Sequence, residues 1–273
     1  MRRVFLACIA MSALAGTTQA AEWRVQRIDT PARVTAIETV GGQVRVNAGG
    51  LWYKIALGDK NSKLEFLDRP AKPKLPEGAL PDSQVAIGSR DIARVWLAEP
   101  TARYDHGILG DKIEAGSLVV EARDGKRQMV RLKDDAVFED LQPRLADLDG
   151  DGHDEIIVVK SYLKRGSALA VIAERKGKYE IVAETPPLGG PHRWLNPAGI
   201  GDFNGDGILD IALPSLDRSR LRIVSFAPAP REIASVALPA KAVTNIGLVA
   251  VKSGPPAIVA GLTDGSLVVA RRN

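Results

Sequence analysis

Cysteine is nearly missing from this chain of 273 residues: Cys8 is the only one. It sits in an N-terminal stretch that reads as a removable export signal. Arg2 and Arg3 make a basic start, Val4–Gly16 is a short apolar run, and Thr18-Gln19-Ala20 supplies the small residues a signal peptidase reads, so cleavage is expected after Ala20. The mature chain, 21–273, then has no disulfide and no thiolate chemistry. Too little apolar sequence precedes Cys8 for a lipid anchor. The arginine pair partly resembles a twin-arginine signal, so the Sec and twin-arginine routes both stay open to a periplasmic or secreted destination.

Other absences narrow the function. Histidine occurs three times, as His106, His153 and His192, with no HxxxH-type pair, so a zinc enzyme is disfavoured. No Gly-x-Ser-x-Gly elbow and no phosphate loop occurs. After the first twenty residues no apolar run approaches the roughly 20 residues of a membrane-spanning helix. The net charge of +4 includes Arg2 and Arg3, so the mature chain is close to neutral and no nucleic-acid or acidic-membrane partner is indicated.

What is present is a series of short strands and turns. Trp23–Ile28, Val34–Thr39, Gln43–Val46, Leu51–Leu57 and Leu64–Leu67 follow one another, punctuated by Gly41-Gly42 and Gly49-Gly50. Pro70 to Pro81 reads as a linker joining two β units. Asp91–Ala98, with Ile92, Val95, Trp96 and Leu97 apolar, reads as a short helix and could equally be a strand. Ser117–Glu121, the Asp124-Gly125 turn and Gln128–Leu132 form a hairpin.

Two stretches repeat each other, Arg144–Val159 and Gly199–Leu213. Each opens with an acidic loop and continues into strands, Ala168–Ile172 and Tyr179–Ala183 in one case, Leu221–Phe226 and Ile233–Leu238 in the other. Four strands in about 50 residues describe a propeller blade. A third copy, Gly247–Ala260, keeps Gly254 but has Val249, Val251, Ser253 and Ala257 where the first has Asp147, Asp149, Asp151 and Glu155.

In the first loop Asp147, Asp149 and Asp151 alternate with residues that include Gly150 and Gly152, which let the backbone curl so that the carboxylates converge. Gathering them without a cation is costly by like-charge repulsion. Calcium takes six to eight oxygens, and three Asp side chains, a carbonyl near His153, Glu155 and water can supply them. The second loop offers Asp202, Asn204, Asp206, the carbonyl of Ile208 and Asp210, with one less negative charge and so weaker expected binding. Magnesium, with fewer protein ligands and stricter octahedral geometry, suits the loops less. An EF-hand would place a bidentate Glu at the twelfth position, where Val158 and Leu213 stand; the last carboxylate here comes at the ninth, and Ile156–Val159 or Ile211–Leu213 is strand chemistry.

This pattern resembles the FG-GAP/VCBS repeat of integrin α-chain β-propellers and many exported bacterial proteins. The resemblance implies a calcium loop between the first and second strands of each blade. It implies Asp147, Asp149, Asp151, His153 (backbone) and Glu155 as one ligand set, and Asp202, Asn204, Asp206, Ile208 (backbone) and Asp210 as the other. The motifs are clear only over about 142–240; the N-terminal half matches through strand rhythm alone.

Two further loops mix aromatic, basic and polar residues: Arg103–Asp111 and Pro191–Asn196. A binding surface formed by Asp105, His106, His192, Arg193 and Trp194 is one reading. Packing against a neighbouring blade is preferred, because Trp and Tyr are usually at least partly buried.

The expected fold is therefore all-β: a β-propeller of about five four-stranded blades over 21–273, with repeats at about 142–186 and 196–240 and a degenerate one at about 243–273. Pairing of the N-terminal strand with the last blade would close the ring and hide sheet edges. Two calcium sites, a monomer, and an unknown protein or glycan ligand complete the expectation. A non-catalytic binding or scaffold module of the cell envelope is favoured over a propeller hydrolase or lyase acting on a polysaccharide. Asp105, His106 and His192 converging at the central channel would revive the enzyme.

Overall fold

A computed structural model describes residues 23–40, 43–57, 62–68, 74–195, 197, 199–249 and 257–272. The expected export signal, the expected Gly41-Gly42 turn, the start of the expected proline linker, and Val251, Ser253 and Gly254 of the degenerate repeat lie outside the described residues. Among the described residues there is no helix, and none is long and apolar enough to cross a membrane.

The strands run in chain order as β1 (Trp23–Ile28), β2 (Val34–Val40), β3 (Gln43–Ala48), β4 (Leu51–Ala56), β5 (Lys63–Phe66), β6 (Ala86–Ile87), β7 (Ile92–Thr101), β8 (Glu114–Ala122), β9 (Arg127–Arg131) and β10 (Ala136–Phe138). They continue as β11 (Arg144–Ala146), β12 (Glu155–Tyr162), β13 (Gly166–Arg175), β14 (Lys178–Glu184), β15 (Gly199–Gly201), β16 (Asp210–Pro214), β17 (Arg220–Ser225), β18 (Arg231–Ala237), β19 (Ala242–Val249), β20 (Ala257–Leu262) and β21 (Leu267–Arg272). Every pairing between them is antiparallel.

These pairings make five four-stranded runs, the order expected of propeller blades. They are β2–β5, β6–β9, β11–β14, β15–β18, and β19–β21 completed by β1. The short β10 pairs with both β8 and β12, which joins the second and third runs into one larger sheet. The last run takes its outer strand from the other end of the chain: Trp23 lies opposite Arg272 and Ile28 opposite Leu267.

The runs pack face to face, which explains why the inner strands are continuous apolar runs and not alternating ones. Successive side chains of a strand point to opposite faces. On β12, Ile156 and Val158 enter the core shared with β6–β9, while Ile157 and Val159 enter the core shared with β15–β18. On β20, Ile258 and Ala260 face the fourth run, and Ala257 and Val259 face the first. A strand buried on both faces leaves little room for polar residues. The outer strands β9, β14 and β18 are half exposed and do mix polar residues in.

The Asp91–Ala98 segment is a strand and not a helix. A bulge between Ile92 and Arg94 adds one residue to β7, so Ile92, Val95 and Leu97 share one core while Trp96 and Ala98 face the opposite side. That extra residue turns a two-residue period into the 92, 95, 96 spacing that imitates a helix. Beyond the linker, Leu80 is buried and its amide donates to the Leu97 carbonyl, so this part of the proline-rich stretch lies along β7.

Antiparallel alternation sorts the connections to two ends of the sheets. The acidic loops β11–β12 and β15–β16 join first to second strands at one end. The β7–β8 and β16–β17 connections, and the passages from one run to the next, lie at the other.

Candidate functional site

Each acidic loop is a set of nested turns closed by its own side chains. In the first, Asp147 accepts hydrogen bonds from the amides of Gly150 (2.7 Å) and Gly152 (3.1 Å). Asp149 accepts from the Asp151 amide (3.2 Å), and Asp151 from the His153 amide (2.9 Å). The second loop repeats the pattern: Asp202 accepts from Gly205 (2.6 Å) and Gly207 (2.9 Å), Asn204 from Asp206 (2.9 Å), and Asp206 from Ile208 (2.8 Å). Gly150, Gly152, Gly205 and Gly207 all have φ between 79° and 90°, a region that costs a side-chain-bearing residue about 1–2 kcal/mol.

The turns bring the acids together. One carboxylate oxygen each from Asp147, Asp149 and Asp151 lies within 4.8 Å of the others, close enough to hold a metal ion. Asp202, Asn204 and Asp206 occupy the equivalent turn, but Asn204 replaces one acid, and its amide donates to Asp206 (2.8 Å). The ring of His153 reaches toward Asp91 (3.5 Å), leaving only its main chain for the loop.

Beneath each loop lies the ninth-position acid, at the first residue of β12 or β16. Burial pushes Glu155 up to about 7, against the Leu148 amide that donates to it (2.8 Å); Asp149, Asp151 and Asp147 add repulsion. Asp210 is one methylene shorter and wholly buried. Neither of its oxygens has a well-formed hydrogen-bond partner, although the Phe203 amide and Ser225 hydroxyl lie near enough to temper its charge. Burial pushes Asp210 up to about 6. A buried carboxyl without partners is costly unless something positive satisfies it. An oxygen-only donor set around a hard divalent cation meets that need, so the residues present fit such an ion.

Arginines from neighbouring runs brace both loops. Arg90 lies 3.4 Å from Asp147 and 3.0 Å from Asp154, and Arg272 donates to the Phe203 carbonyl (3.1 Å). Trp23 of β1 packs on Phe203, with ring centroids 6.2 Å apart. The strand pair at the chain ends therefore holds the second acidic loop.

At the opposite end the two aromatic and basic loops meet. The rings of His106 and His192 stack, 5.1 Å apart and 25° from parallel, and Tyr104 packs against both. Nδ1 of His106 is hydrogen-bonded to Glu139, and the Ser161 hydroxyl donates to the same carboxyl. The Tyr104 hydroxyl accepts from the His192 amide (2.9 Å), and Trp194 Nε1 donates to the Glu139 carbonyl (3.0 Å). Gly166 permits this approach: a Cβ there would come within 2.7 Å of the Gly190 carbonyl oxygen. Asp105 does not join the group; it turns outward to Lys112 (2.6 Å).

Burial dominates the electrostatics of this end. It pushes Glu139 up to about 7 and Glu114 up to about 9, and it lowers His106. Sequence reasoning named the histidines and Trp194 but missed Glu139, Glu114, Ser161 and Ser167. An acid closing the apolar triplet Ala136–Phe138 was the one available hint.

Residues 145–213 match the family model of the FG-GAP-like repeat. The solved structure of a luciferin-regenerating enzyme aligns with 89% of this chain and 79% of its own, at 15% identity and a TM-score of 0.42. The N-terminal domain of Nup159 aligns with 88% of this chain and 76% of its own, at 14% identity and a TM-score of 0.37. No curated protein matches the chain.

Proposed function

We propose that this chain, whose residues 145–213 carry FG-GAP-like repeats, is an exported, calcium-binding β-propeller protein that acts as a non-catalytic binding or scaffold module of the cell envelope. The observation that carries the calcium reading is the pair of equivalent loops, one of which gathers three aspartates within 4.8 Å over a buried acid. Asp147, Asp149, Asp151, the His153 carbonyl and Glu155 would hold one ion. Asp202, Asn204, Asp206, the Ile208 carbonyl and Asp210 would hold the second. Bound calcium supplies charge compensation to a fold that has no disulfide, and stabilises it by binding the folded form alone. Export rests on the N-terminal signal pattern and leads to the periplasm or outside. The repeats are assigned to 142–186, 196–240 and 243–273, within one domain spanning 21–273 that works as a monomer with a protein or glycan partner.

The enzyme reading, a hydrolase or lyase with purely structural calcium, gains one observation. Glu139 takes Nδ1 of His106 and so leaves Nε2 as the free ring nitrogen, the arrangement of an oriented general base. It predicts turnover of a polysaccharide, whereas the binding module predicts none.

Calorimetric titration of chelator-stripped protein tests the main reading. Two calcium ions per chain are expected, falling to one in Asp147→Ala/Asp151→Ala. Absence of binding heat, together with a melting temperature indifferent to chelator, would sink it.

A further inference from the structure

The histidine end of the sheets also holds a pocket of about 240 Å³, lined by His106, His192, Arg193, Trp194, Leu216 and Arg218 among others. Three segments from successive runs build it: the β7–β8 connection, the passage from β14 to β15, and the β16–β17 turn. It lies at the opposite end of the sheets from the acidic loops.

Its walls are anchored. His106 rests on the buried Glu139 and His192 stacks on its ring, and Ser167 holds the Arg193 carbonyl through both its hydroxyl and its amide (2.8 Å each). Among the described residues, two of the four non-glycine residues with left-handed backbone, His192 (φ 58°) and Arg218 (φ 61°), line this pocket. Such conformations cost about 1–3 kcal/mol and cluster at ligand sites.

Its lining holds two arginines and no acid. Neither Arg193 nor Arg218 has an ion pair among the described residues; Arg193 spends one nitrogen on the Leu188 carbonyl (3.1 Å). The nearby acids are engaged elsewhere. Asp217 is hydrogen-bonded to the hydroxyls of Ser215 (2.6 Å) and Ser219 (2.7 Å), Asp105 to Lys112, and Glu139 lies buried behind His106. The lip is apolar: Ile108 is 42% exposed and Leu216 51%. A cationic mouth with an apolar lip and a tryptophan fits a ligand with an acid group on a compact, partly apolar body.

We propose that this pocket binds a small organic carboxylate, its acid group taken by Arg193 and Arg218, its body set against the histidine pair, Trp194, Ile108 and Leu216. This deepens the binding-module reading by naming a ligand class, and it does not depend on calcium. The volume suits a single sugar acid or a single aromatic acid, and the two share the same anchoring chemistry.

The full mature chain is titrated calorimetrically with glucuronate, benzoate, their neutral counterparts glucose and benzamide, and inorganic phosphate, each in calcium and in chelator. The expected result is binding of glucuronate or benzoate, whichever has the matching body, without binding of its neutral counterpart. Arg193→Gln or Arg218→Gln should weaken it at least tenfold, the loss expected for one charge-assisted hydrogen bond. An unchanged calcium-induced melting shift in both variants verifies folding. No carboxylate binding at 10 mM, equal binding of acid and neutral partner, binding of phosphate alone, or variants that bind as wild type would each overturn the assignment. Carboxylate binding that persists in chelator, in a protein that takes up no calcium, would refute the calcium reading and leave this one standing.

Discussion

Replacing Asp210 by Asn should change stability in opposite directions with and without calcium. The Asp210 carboxyl is wholly buried and both oxygens lack a well-formed partner. Its pKa rises from 3.8 to about 6 on folding. Because the folded value lies above the unfolded one, the group favours folding below pH 3.8 and loses that contribution as pH rises through about 6. At pH 7.5, with chelator present, the ionised group then costs the folded state about 3 kcal/mol. Asn fills nearly the same volume without charge, but its buried amide gives back about 1–2 kcal/mol in unmet hydrogen bonds. The chelated variant should therefore be more stable than wild type by about 1–2 kcal/mol, or roughly 2–8 °C for a domain of this size. With saturating calcium the order reverses. Wild type gains about 2.7 kcal/mol per site at a hundredfold excess over Kd, and the variant loses most of that at one loop. Urea unfolding in chelator and in calcium measures both. A variant less stable than wild type in chelator, or equally stabilised by calcium, would refute the picture of Asp210 as a buried acid awaiting a cation.

Two further outcomes follow from the same geometry. Glu114→Gln removes a buried acid whose pKa rises from 4.5 to about 9 on folding. Its contribution is present below pH 4.5 and fades as pH climbs toward 9, so the advantage of the variant in urea midpoint should widen between pH 5 and pH 9, and parallel pH profiles would contradict this. Trp23→Ala strips the ring that packs on Phe203 and should cost about 2–3 kcal/mol. It should also weaken calcium severalfold at the second loop alone, read by calorimetry in the Asp147→Ala/Asp151→Ala background; undiminished affinity would show that the terminal strands do not hold that loop.

The acidic loops were legible in the sequence because everything that shapes them is local. Each hydrogen bond of the nested turns spans two to five residues, and the glycines stand where φ must be positive. Most strands were legible for the same reason, but the short β6 and β10 were not read, and the period misled at Ile92–Arg94. There a single bulged residue altered the period, and only the partner strand β8 reveals which face each side chain takes.

The sequence by itself determined the repeated loops, the turn positions and the all-β pattern, because these depend on neighbours along the chain. Tertiary structure decided what the loops rest on and what lies opposite them. Asp210 and Asp202 look alike as letters, yet one is sealed under β-sheet packing and the other caps an open turn. His106, Glu139 and His192 are far apart in sequence and meet only because three runs stack in order, and no local pattern encodes that meeting. Burial and long-range pairing belong to the assembled sheets, so the strength of the charges and the existence of the histidine pocket could be read only there.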